Sequence, residues 1–126
     1  MNKVMVVDDE PDQIVTLQYL FKNYDTKYEL VGANSGEECL ELLKNGEQPD
    51  IILLDIMMPG MSGWEVFDKL KDNSSWKDIP IVFLTARTDT LAEDAGTFLG
   101  EDYIEKPFEI DELIKRVDAI IEKKKQ

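Results

Sequence analysis

The stretch DIILLDIMMPGMSG, Asp50–Gly63, holds four consecutive apolar residues, Ile51–Leu54, that run straight into one carboxylate, Asp55. Two methionines and a Pro-Gly pair follow, Met57-Met58-Pro59-Gly60. A short apolar run closed by a turn signal reads as a buried strand, here Asp50–Leu54. A charge placed at the very end of such a run needs a reason, and the rest of the chain supplies it.

Outward from this stretch, strand-like runs alternate with helical patterns. Lys3–Val7 reads as a first strand, followed by a helix over Glu10–Tyr24 with Ile14, Leu17, Leu20 and Phe21 on one face and Pro11 near its start. Tyr28–Gly32 is the second strand. Ser35 and Glu38 form a capping box for a helix over Gly36–Lys44, which Asn45-Gly46 ends. Ser62 caps a third helix to Lys71, with Glu65 at the capping-box position. Ile79–Leu84 is the fourth strand, with Pro80 confined to its start. A weaker helix spans Asp89–Leu99 and contains Gly96, at a cost of about 1 kcal/mol relative to alanine. Asp102–Glu105 is a short fifth strand, and Glu109–Lys124 the final helix. Five β–α units in strict alternation predict an α/β fold, doubly wound, with a parallel sheet and helices on both faces. Strands covered on both faces read as continuous apolar runs, as three of these do.

Composition narrows the function. The 126 residues suit one domain. Twenty-seven acidic residues against fourteen basic ones give a net charge of −13, a surface that repels nucleic acid and anionic membranes. No apolar run is long enough to cross a bilayer. The single cysteine, Cys39, reads as a small buried hydrophobe, and its solitude points to a reducing cytoplasm. There is no histidine, which removes His-based general base catalysis and most zinc sites. The one basic cluster, Lys123–Lys125, suits the dipole at the end of the last helix.

In a parallel sheet all strands end at one edge. The runs end in Asp8-Asp9, Asp55, Thr85 and Lys106, so three carboxylates, a hydroxyl and an ammonium gather there. Open α/β sheets bind ligands at that edge, where the strand order reverses. A lone Asp after a strand is commonly a cap or loop residue; four polar terminations at one edge point to a site. Adjacent carboxylates repel, which favours a bound cation, and oxygen donors without His or Cys favour Mg²⁺.

In order, VVDDE, ILLDIMMPGMSGWE, IPIVFLTA and DYIEKPF make the chain resemble the receiver domain of two-component response regulators, in a stand-alone form similar to the chemotaxis regulators. The resemblance covers essentially the whole chain and implies a five-stranded sheet of order 2-1-3-4-5. The expectation is a single receiver domain over residues 1–126 with no effector domain, either a stand-alone regulator or a fragment of a longer protein. It implies that Asp55 accepts a phosphoryl group from a phosphohistidine of a sensor kinase or phosphotransfer protein. It implies a Mg²⁺ site of Asp8, Asp9, Asp55 and the Met57 backbone carbonyl, and Thr85 and Lys106 as contacts to the phosphoryl oxygens. It further implies a cis Lys106–Pro107 bond, a switching aromatic at Tyr103, and an output surface of the fourth helix, fifth strand and fifth helix. A downstream protein would read that surface. Met57 and Arg87 are expected to flank the path of attacking water, where neither can act as a base.

Three alternatives remain at this level. A phosphatase of the haloacid dehalogenase type shares the strand-end Asp, Mg²⁺, Thr and Lys but needs a second acid where Met57 stands. A flavodoxin-like FMN binder needs a phosphate cradle where the anionic DDEPDQ lies. A degenerate receiver would serve only as a scaffold, against which the full set of Asp8, Asp9, Asp55, Thr85 and Lys106 argues.

Overall fold

The computed structural model describes residues 2–24, 27–86, 102–106 and 108–125, with backbone alone at Thr85, Ala86, Asp102 and Lys125. The strands are β1 (Asn2–Val7), β2 (Tyr28–Ala33), β3 (Ile51–Asp55), β4 (Ile81–Ala86) and β5 (Asp102–Lys106). The helices among the described residues are α1 (Pro11–Asn23), α2 (Gly36–Lys44), α3 (Gly63–Lys71) and α4 (Ile110–Lys125). The helix expected over 89–99, with Gly96, lies outside the described residues.

The five strands form one sheet in the order β2-β1-β3-β4-β5, all pairs parallel. This is the doubly wound order expected from the sequence. Alternation along each strand sends side chains to two separate cores. Val4, Val6, Ile51, Leu53, Val82 and Leu84 pack with α1 and α4. Met5, Val7, Ile52, Leu54, Ile81 and Phe83 pack with α2 and α3, and Cys39 is buried among them. Every residue from Ile51 to Leu54 is fully buried, which explains an unbroken apolar run in β3.

Local chemistry sets the element ends. Ser35 Oγ accepts from the Glu38 N–H at 3.0 Å, and Glu38 Oε1 accepts from the Asn34 N–H, one residue before the cap. Ser62 Oγ accepts from the Glu65 N–H. Gly46 closes α2 at φ +101°, a left-handed value that glycine adopts without strain.

Several strand limits differ from the sequence reading. Ile79 and Pro80 precede β4: the Ile79 N–H donates to the Trp76 carbonyl in a turn, and Pro80 has no N–H to give. At the other end β4 runs through Thr85 and Ala86, because β5 supplies Glu105 and Lys106 as ladder partners. Asp55 likewise belongs to β3, paired with Leu84, rather than following it.

Candidate functional site: an acidic cluster at the carboxyl edge of the sheet

β1 and β3 lie side by side at the centre of the sheet and end at the same level. Asp8 follows β1, its N–H bonded to the Ala33 carbonyl at 3.0 Å. Asp8 Oδ1 accepts from the Glu10 N–H at 3.0 Å, which fixes the entry to α1. Asp55 ends β3, and its Oδ1 accepts from the Met57 N–H at 3.3 Å. The carboxylates of Asp8, Asp9 and Asp55 offer oxygens that all lie within 4.8 Å of one another. Asp8 is 1% exposed and Asp55 8%, the two buried acids among the described residues.

Lys106, the last residue of β5, reaches across β4 to this cluster. Its Nζ lies 3.3 Å from Asp8 Oδ2 and 3.6 Å from Asp55 Oδ2. Burial pushes the Asp55 carboxyl up to about 6, against the pull of the Lys106 ammonium; Asp8 and Asp9 raise it further, while the Met57 N–H lowers it. Three hard oxygen donors, two of them buried, form a site that suits a small divalent cation.

Gly63 emerges as a positioning residue that motif reading passed over. A Cβ there would lie 2.5 Å from the Asp55 carbonyl oxygen and 2.7 Å from Ile56 Cα. Its N–H donates to the Ile56 carbonyl at 3.0 Å. The first turn of α3 thus rests directly on the backbone that carries Asp55. The signal in the sequence was a glycine immediately after the cap Ser62, where a better helix former is expected.

Of the residues expected at the site, Asp8, Asp9, Asp55 and Lys106 are brought together. Met57 enters through its backbone, and its side chain points outward with 67% exposure. Thr85 is placed by its backbone in β4 opposite Glu105. Arg87 and Pro107, and with Pro107 the expected cis bond, lie outside the described residues. Tyr103 is partly buried against the α2–α3 core, and its carbonyl accepts from Arg116 Nη1 at 3.2 Å.

The sequence matches the family described as the response regulator receiver domain over residues 4–118. The chain belongs to that family. The receiver domain is 38% identical over 124 residues to a probable cyclic di-GMP phosphodiesterase of Vibrio cholerae, covering 97% of this chain and 27% of that protein. It is 34% identical over 129 residues to response regulator ArlR of Staphylococcus saprophyticus, covering 100% of this chain and 55% of that protein. The chain therefore spans about half the length, or less, of these curated relatives. Among solved structures, the receiver domain of the Francisella response regulator 1452 superimposes with a TM-score of 0.85 at 30% identity, covering 98% of this chain and 99% of that one. Receiver domains are signalling switches that bind Mg²⁺ at an acidic pocket and are phosphorylated by sensor kinases. No described helix is long and apolar enough to cross a membrane.

Proposed function

We propose that this receiver domain takes a phosphoryl group onto Asp55 from a phosphohistidine of a sensor kinase or phosphotransfer protein in the cytoplasm. The observation that carries the reading is the Asp55 carboxylate, held beside Asp8 and Asp9 and facing the Lys106 ammonium at 3.6 Å. An Asp55 oxygen attacks phosphorus, the P–N bond of the donor breaks, and the imidazole leaves with the electron pair. Asp8, Asp9, Asp55 and the Met57 carbonyl would hold Mg²⁺, which when bound supplies positive charge to the carboxylates and the phosphoryl oxygens. Lys106 neutralises charge on the group in transfer from the opposite side. Thr85, one pairing step from Lys106 along the β4–β5 ladder, is assigned the remaining phosphoryl contact. The chain turns over no other substrate: its chemistry is its own phosphorylation and the hydrolysis that resets it.

Output is assigned to the face of β5 and α4; the helix expected to share it, over 89–99, lies outside the described residues. The Arg116–Tyr103 bond, which ties α4 to the backbone of β5, supports this reading. Incubation with Mg²⁺ and a small phosphodonor such as acetyl phosphate tests the acceptor assignment by intact mass. The wild type should gain one phosphoryl group and Asp55→Asn none, while Asp12→Asn and Asp50→Asn should gain it normally. A normal gain in Asp55→Asn would sink the assignment.

A further inference from the structure

Met57 is one of only four large hydrophobic side chains left exposed among the described residues, and it is the most exposed of them at 67%. The others, Val15 and Tyr19 in α1 and Tyr24 at its end, stand apart from it in the chain. Its own backbone N–H is bonded to the Asp55 carboxylate, so Met57 adjoins the acidic site and its side chain is exposed beside it in the chain. The other described sulfurs are covered. Met5 and Cys39 are fully buried in contact with each other, Sγ to Sδ 3.7 Å. Met58 is 8% exposed, and Met61 is half-buried against the α2–α3 core. Among the described residues Met57 is therefore the one exposed methionine, and it lies two positions from the residue whose modification sets the state of the switch.

We propose that Met57 is an oxidation site through which hydroperoxides shorten the lifetime of the phosphorylated state. The proposal rests on Asp55 being the phosphoryl acceptor. The Met57 sulfur lone pair attacks a peroxide oxygen, an S–O bond forms and the O–O bond breaks. The departing oxygen takes up a proton and leaves as water or alcohol. Sulfur gives up two electrons and the peroxide receives them, so no further redox partner is needed. The thioether is a poor acceptor that offers water nothing; the sulfoxide is polar and a strong acceptor. Oxidation thus replaces an exposed apolar side chain, two residues from Asp55, with a group that admits and orients water. Methionine sulfoxide is enzymatically reducible, so the change can be reset.

The test uses hydrogen peroxide on the purified full chain, with peptide mass mapping to order the oxidised methionines. Untreated and singly oxidised proteins are then phosphorylated, freed of donor, and followed by intact mass in excess Mg²⁺. Met57 should oxidise first, and the oxidised protein should lose its phosphoryl group about fivefold faster, the rate equivalent of one oriented hydrogen bond. Met57→Leu, compared with itself before and after peroxide, should show no acceleration. Oxidation that reaches Met58 or Met61 before Met57 overturns the proposal, as does an unchanged decay in the oxidised wild type or an equal acceleration in Met57→Leu. If the untreated protein gains no phosphoryl group, the acceptor reading falls and this proposal with it; a normal gain with unaltered decay overturns this proposal alone.

Discussion

At the scale of single residues the site is built on a carboxylate held away from the water that would ordinarily stabilise its charge. Unfolded, Asp55 titrates near 3.8; folded, burial lifts it to about 6. A raised acid pKa means that the folded chain binds the proton more tightly than the unfolded chain. The cost of the charge is absent below 3.8, grows through the interval and is complete above about 6. That interval corresponds to about 3 kcal/mol. In chelator at pH 7, Asp55→Asn should therefore melt higher than the wild type by about 5 °C or more, with the gap closing toward pH 4. Equal melting temperatures at pH 7 would contradict this account. Gly63 makes the complementary point for packing. Gly63→Ala would push a methyl group into the Asp55 carbonyl, at a cost of about 1–3 kcal/mol. Because the clash falls on the backbone of Asp55, phosphodonor-dependent mass gain should slow even where urea titration shows the variant fully folded.

At the scale of elements, the ends of the strands and the starts of the helices carry the chemistry. α3 shows how the two are joined. Its second residue, Trp64, packs on Phe83 of β4 with ring centroids 4.9 Å apart, and Gly63 before it rests on β3. A cation drawn to Asp8, Asp9 and Asp55 alters the charge beside this turn. Titration with Mg²⁺ should therefore quench or shift Trp64 fluorescence, and the change should vanish in Asp9→Asn. Trp76 also packs against the α2–α3 core but is remote from Asp55 in the chain. A full signal in Trp64→Phe would assign the effect to Trp76 and refute the prediction. The caps at Ser35 and Ser62 were legible because a capping box is local chemistry, satisfied within four residues. The start of β4 was misread because Pro80 and Ile79 look apolar and strand-like. Ile79 is kept out of the ladder by a turn from Asn73 to Ile79 that uses its N–H, and Pro80 joins only through its carbonyl, which accepts from the Ile52 N–H at 2.9 Å.

At the scale of the whole molecule, Lys106 and Asp8 are 98 positions apart in the chain and 3.3 Å apart in space. The lysine is a tethered cation among three carboxylates and stands in for part of the positive charge that a metal supplies. Lys106→Met should therefore leave the metal-free protein less stable, with Mg²⁺ restoring about 1 kcal/mol more to it than to the wild type. Thermal melts with and without Mg²⁺ check this; an identical Mg²⁺ increment in both proteins would argue against it. The sequence by itself determined the alternation of strands and helices, the two-faced burial of the sheet and which polar residues gather near the strand ends. Those features follow from apolar periodicity, turn chemistry and the common direction of parallel strands, all of which act over short stretches of chain. Only the tertiary structure decided that the Lys106 ammonium comes to rest 3.3 Å from Asp8 and 3.6 Å from Asp55, and that Gly63 touches the Asp55 backbone. It alone placed the Met57 thioether outside while burying Met5 and Met58. Those outcomes depend on register and on which surfaces meet, and two methionines adjacent in sequence carry no local signal of which one the core will take.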